Sequence, residues 1–255
     1  MGVALLELLR NQAPSGSVEL EIAGDRATLT LRHAAKRNAM SGSMMIDLEH
    51  CVTRLESWPG SLLVVRGESG HFCSGADLRL VRGALAGEDG GKEMCAWMTR
   101  LLNTIYTAPY VSVAVIQGAA IGGGAELATA TDFRLLESNS RFQFVQVKRG
   151  LSPGWGGAAR LVSLVGRTRA LRLLTSALPV EAEEALQWGL IDGVFEKGAA
   201  VTAIEDFVAP MLAHSASAIR ANKAAVVCGL REGLSSAGEA EVFSAAWPPT
   251  DPVPP

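Results

Sequence analysis

Two short apolar runs, "SLLVVRG" at 61–67 and "YVSVAVIQG" at 110–118, constrain this chain more than any other feature in it. Neither alternates cleanly with polar residues. Each therefore has the pattern of a strand buried on both faces, the habit of parallel sheets. Each also runs into a glycine-containing loop with an acid soon after. "HFCSGADLRL" at 71–80 carries Asp77, and "GAAIGGGAEL" at 118–127 carries Glu126.

Around these runs lie helical patterns. Met44, Met45, Leu48, Cys51, Val52 and Leu55 recur at helical spacing behind Ser41 or Ser43 as caps, and "GKEMCAWMTRLLNTIYTAP" is a helix stopped by Pro109. "VELEIAGDRATLTL" reads as a β-hairpin. After the glycines the pattern predicts a helix to about Thr131, then two strands, "DFRLLES" and "RFQFVQV". From Ala158 to Trp247 the patterns are almost only helical, and the ending "PPTDPVPP" cannot be. The expected class is α/β: a core of repeated ββα units over 1–157, a helical region over 158–247 of the same domain, and a loose tail over 248–255.

The 255 residues suit one large domain, and 48% hydrophobic residues suffice for its core. No apolar stretch approaches the ~18 residues of a membrane span. A net charge of −3 without a basic cluster excludes nucleic acid as an expected partner. The four cysteines are scattered, with no CxxC pair, which reads as free thiols in a reducing compartment. His33, His50, His71 and His214 have no metal-ligand spacing, so no metal is expected. The start "MGVALLELLRNQ" lacks a basic n-region and a cleavage site, has Glu7 beside a lone Arg10, and has Leu6 where myristoylation needs Ser or Thr. A cytosolic protein with a short helical lead-in is expected.

The glycines at 122–124 match none of the common phosphate loops. A Walker loop would need Lys-Ser/Thr after them, a dinucleotide fingerprint would need glycine where Leu127 stands, and no G-x-S-x-G occurs. A tight strand-to-helix turn would account for them. So would an oxyanion site, since glycines opening a helix leave a bare N–H at the positive end of its dipole. One donor is half of such a device, and the loop at 71–80 offers a second.

Together, "FCSGADL" and "GAAIGGGAEL" resemble the paired signature of the crotonase, or enoyl-CoA hydratase/isomerase, superfamily. "KRNAMS" before them and "GLSPGWGGAARL" after them stand in family order, and the likeness spans roughly residues 17 to 230. The resemblance implies a spiral ββα fold binding an acyl-CoA thioester, with coenzyme A as part of the substrate and no other cofactor. It implies that the N–H groups of Ala76 and Gly123 grip the thioester oxygen, with Gly122 in the substrate-binding turn. Asp77 would brace its loop, and Lys36 and Arg37 would lie near the coenzyme's phosphates. Trp155 would either wall the pocket or pack the start of a helix. Assembly as a homotrimer or hexamer through the helical region is also implied.

Hydratases of the family use two glutamates around a water. The first falls on Glu126, but the second falls on Gln146, which cannot exchange a proton at neutral pH. "MSGSMM", "RLESWPGSLLVVRG", "SRFQFV" and "SPGWGGAARLV" resemble instead the branch that decarboxylates ethylmalonyl- and methylmalonyl-CoA. That reaction starts without a base, and a neutral Gln146 would not repel the substrate carboxylate. Glu126 would position the substrate, protonate the enolate or anchor its loop. A hydratase or isomerase using Glu126 alone, and a non-catalytic assembly protein of the same fold, are the alternatives.

Overall fold

The computed structural model describes residues 3–10, 13–83, 85–86, 88–232 and 237–246. Its centre is a six-stranded sheet in the order β1-β2-β3-β4-β6-β9. β1 (Ser17–Ala23) and β2 (Arg26–Arg32) form the antiparallel hairpin. Every later neighbour in that sheet is parallel: β3 (Leu62–Gly67), β4 (Val111–Ile116), β6 (Phe133–Glu137) and β9 (Gly193–Phe195). The two apolar runs are β3 and β4, and their side chains alternate between two cores. Leu63, Val65, Ala114 and Ile116 face the larger one. Leu62, Val64, Val113 and Val115 face a second core closed by Ile204 and Val208 of α8 (Ala200–Leu212). Burial on both faces explains why the runs do not alternate.

On the larger core lie α1 (Val3–Arg10), α2 (Gly42–Glu56) and α4 (Glu88–Thr107). α2 is capped by Ser41, whose side chain accepts from the Met44 N–H. The short α3 (Leu78–Arg82) follows the first glycine loop. A second, three-stranded sheet joins β5 (Ala119–Ile121), β7 (Arg141–Gln143) and β8 (Val180–Glu181).

Three expectations need correction. The helix after the glycines, α5 (Gly123–Ala128), ends before Thr131, because the chain must turn there to enter β6. "RFQFVQV" is a strand only to Gln143; Gln146–Arg149 is a 3-10 turn. The region from 158 is not purely helical, since it supplies β8 and β9 to the two sheets among α6 (Gly157–Ser176), α7 (Ala182–Gln187), α8, α9 (Ala216–Glu232) and α10 (Ala237–Ala246). α6 is broken at Gly166, whose φ of 77° and ψ of 164° no helix contains. The tail over 248–255 lies outside the described residues.

Buried polar links tie this region to the sheet. Arg134 on β6 is 1% exposed; its guanidinium donates to the carbonyls of Leu190 (2.7 Å), Thr131 (2.7 Å) and Asp132 (2.9 Å) and to Asp192 (3.0 Å). Lys223 of α9 pairs with Asp132, which also accepts from the N–H and hydroxyl of Ser112 at the start of β4.

Candidate active site

The two glycine loops run side by side. Cys73 and Ala120 form a parallel bridge, with the Ile121 N–H donating to the Cys73 carbonyl at 3.0 Å. Contact is close enough to demand glycine. A Cβ on Gly75, which has φ of 90°, would stand 2.9 Å from the Ile121 carbonyl oxygen and 3.1 Å from the Gly123 nitrogen. A Cβ on Gly124 would stand 2.2 Å from the Cys73 carbonyl oxygen. These packing demands explain the glycines that hold the loops together.

The backbone around each expected donor is pinned. Met40 brackets Ala76: its N–H donates to the Gly75 carbonyl (2.8 Å), and its own carbonyl accepts from the Asp77 N–H (2.9 Å). Gly122, at φ of 56°, donates to the Gln143 carbonyl at 2.8 Å and sets the start of α5. The N–H groups of Ala76 and Gly123 have no protein acceptor among the described residues. Two bare donors thus sit on adjoining loops, one of them at a helix start where the dipole is positive.

Glu126 lies one turn into α5 and is 1% exposed. Its Oε1 accepts from the Gln146 amide (2.8 Å) and the Gly154 N–H (3.2 Å); its Oε2 accepts from the N–H groups of Trp155 (2.7 Å) and Gly157 (2.9 Å). A carboxylate has about four lone-pair positions, and here four donors take them. Gly157 must be glycine, since a Cβ would come within 2.4 Å of Glu126 Cγ. Gln146 is half-buried, and its Oε1 is covered without a partner. Trp155 is 2% exposed and lays its ring on Gly123, so that a Cβ there would be 2.5 Å from ring carbon Cζ3.

Lys36 pairs with Asp77, and Asp77 also caps α3 by accepting from the Arg79 N–H at 2.9 Å. Burial pushes the Asp77 carboxyl up, but the Lys36 and Arg79 hydrogen bonds and the charges of Lys36 and His33 together bring it below its ordinary value of 3.8. Arg37 is exposed and makes no ion pair among the described residues. His71 is half-buried beside the first loop, and no group of metal-ligating side chains occurs among the described residues. Burial pushes the Cys73 thiol up to about 12, so it is an inert packing group.

Sequence reasoning missed Arg160. This buried residue of α6 donates to the Trp155 carbonyl (2.6 Å), the Glu126 carbonyl (3.2 Å) and Asn103 of α4 (2.9 Å). Burial lowers it to about 10 while Glu126 pulls it up, so it stays a cation at neutral pH. The one hint was an arginine standing next to the buried Leu161 in an otherwise apolar stretch.

A profile described as "Enoyl-CoA hydratase/isomerase" matches residues 22–245. Curated relatives named "Ethylmalonyl-CoA decarboxylase" include one from Danio rerio, 43% identical over 244 residues, covering 92% of this chain and 80% of that protein. Another, from Gallus gallus, is 41% identical over 225 residues, covering 86% and 75%. Among solved structures, a putative enoyl-CoA hydratase from Thermobifida fusca YX in complex with acetoacetyl-CoA has a TM-score of 0.79 at 29% identity, covering 95% of this chain and 94% of that one. A putative enoyl-CoA hydratase/isomerase family protein from Hyphomonas neptunium has a TM-score of 0.83 at 29% identity, covering 90% and 88%.

Proposed function

Since this chain belongs to the enoyl-CoA hydratase/isomerase family, we propose that it removes the free carboxyl group of ethylmalonyl-CoA or methylmalonyl-CoA. The observation that carries this reading is the state of Glu126. Four donors occupy its carboxylate, and one of them is the amide standing where a hydratase would have its second acid. That arrangement anchors the loop at 154–157 and leaves no acid–base pair to split water. The bare N–H groups of Ala76 and Gly123 are the complementary asset.

In the proposed reaction the C–C bond to the carboxylate breaks and carbon dioxide leaves. The electron pair moves into the thioester, and the enolate oxygen is held by the two N–H groups. A proton from solvent completes the saturated acyl-CoA. The electron sink is the thioester itself, so the step calls on no cofactor beyond the coenzyme A of the substrate. Arg37, exposed and without an ion pair among the described residues, and Lys36, released from Asp77, would meet the coenzyme's phosphates. Trp155 would support Gly123 from behind. The names of the relatives support the choice of substrate.

Residues 1–157 would then carry the site, and 158–247 would serve assembly into a homotrimer or hexamer. Exposed Leu171, Leu178 and Leu186 in that region support such a role. No helix among the described residues is long and apolar enough to cross a membrane, and the four free cysteines suit a reducing compartment such as the cytosol.

The test is to incubate the purified protein with ethylmalonyl-, methylmalonyl- and crotonyl-CoA and identify products by mass. Loss of carbon dioxide from the first two is expected. Efficient hydration of crotonyl-CoA with ethylmalonyl-CoA untouched would overturn the reading. Gly123→Pro, which removes one N–H, should lower turnover by about 100-fold or more in folded protein.

A further inference from the structure

Asn38 is wholly buried and has φ of 56°, next to Arg37 at φ of 51°. Two successive non-glycine residues in the left-handed region are uncommon, although asparagine tolerates it better than most. The side chain spends its donors and acceptor on three separate backbone groups. Its Oδ1 accepts from the His33 N–H (2.8 Å), and its Nδ2 donates to the carbonyls of Glu68 (3.1 Å) and His71 (2.7 Å). Gly67 leaves the space in which these groups meet: a Cβ there would come within 1.9 Å of the His71 carbonyl oxygen, 2.3 Å of the Phe72 carbonyl oxygen and 2.6 Å of Asn38 Nδ2.

The stretch containing Asn38 is the template for the tip of the first glycine loop. The Ser74 N–H donates to the Arg37 carbonyl (3.1 Å), the Ser74 hydroxyl to the Lys36 carbonyl (2.9 Å), and Met40 brackets Ala76 as described above. Asn38 therefore links the base of that loop, at 68 and 71, to the strand-like segment that sets its tip, at 74–77. A shift in 36–40 would carry the bonds to Gly75 and Asp77 with it and re-aim the N–H between them.

The geometry points to Asn38 as a positioning residue that fixes the direction of the Ala76 N–H, a role that rests on the oxyanion reading above. Asn38 touches neither donor. It acts through 36–40, so its loss should weaken the grip on a thioester oxygen more than the grip on coenzyme A.

Asn38→Gly and Asn38→Asp test this. Glycine relaxes the backbone at positive φ while deleting the clamp; aspartate keeps the shape and the acceptor but loses both N–H donors. The probe is acetyl-CoA labelled with 13C at the carbonyl, an unreactive thioester whose stretching frequency falls when its oxygen is gripped. Wild-type protein should lower that frequency on binding. In both variants the lowering should shrink, while acetyl-CoA affinity stays within about threefold and kcat on ethylmalonyl-CoA falls about ten- to a hundredfold at little-changed KM. If wild type lowers the frequency yet decarboxylates nothing, the reaction reading fails, and the infrared comparison still decides the role of Asn38. A full wild-type shift in either folded variant would overturn the proposal, as would no shift in wild type. So would failure of both variants to fold, which would assign Asn38 to stability alone.

Discussion

At Gly123 one missing carbon decides whether Trp155 can lie where it does. A Cβ 2.5 Å from the ring would push the indole off the loop. Gly123→Ala should therefore cost about 1–3 kcal/mol in a urea titration, through overpacking. Gly91 in α4 is the control: a Cβ there meets nothing within 4 Å, and Gly91→Ala should stabilise by about 0.5–1 kcal/mol. At Gln146 the amide donates to Glu126 at 2.8 Å, so Gln146→Glu would set a second carboxylate against an already occupied one. Near neutral pH it should lower kcat/KM on ethylmalonyl-CoA by about ten- to a hundredfold. The introduced acid would have its proton affinity raised by this neighbour, so the loss should shrink as pH falls through its folded value. Both residues were legible in the sequence. The load on Glu126 was not, because three of its four donors are backbone groups near thirty residues away, brought back by a loop whose path no periodicity encodes.

Among the elements, the first glycine loop is held at its far end by charge. Asp77 accepts from the Arg79 N–H and pairs with Lys36. Asparagine would keep the cap and remove the pair, so Asp77→Asn should lower stability at neutral pH by about 1 kcal/mol or less. The folded carboxyl lies below its ordinary 3.8, so the contribution is complete above that value and is lost as pH falls through the lower, folded one. Unfolding titrations of the two proteins should therefore converge in acid and stay parallel near neutral pH. Element types followed from pattern where burial is regular: β3 and β4 read correctly because each is clamped between two cores. β9 was missed because three residues, Gly193–Phe195, carry no period of their own; what makes them a strand is pairing with β6. α6 was legible as helical, and its interruption falls on a glycine, Gly166.

For the molecule as a whole, the site exists only when distant segments meet: 36–40, 74–77, 122–126 and 146–157. Fold class was readable from the paired loops, whereas the expectation of assembly rested on the family resemblance alone, because assembly depends on surfaces that local patterns do not distinguish from solvent-facing ones. Exposed Leu151, Leu171, Leu178 and Leu186 lead to the expectation of an oligomer; light scattering at micromolar protein should give three or six times the chain mass, and a monomer would refute it. The two bare donors have one more consequence. Met40, Asp77, Ile121 and Gly122 all donate to backbone carbonyls, so deuterium enters their amides only when the structure locally opens. Among the described residues, Ala76 and Gly123 have no such bond to break. These two amides should take up deuterium before those four, and a thioester that occupies them should slow them selectively. The molecule thereby carries its own label for whether the oxygen of a bound acyl group has reached its place.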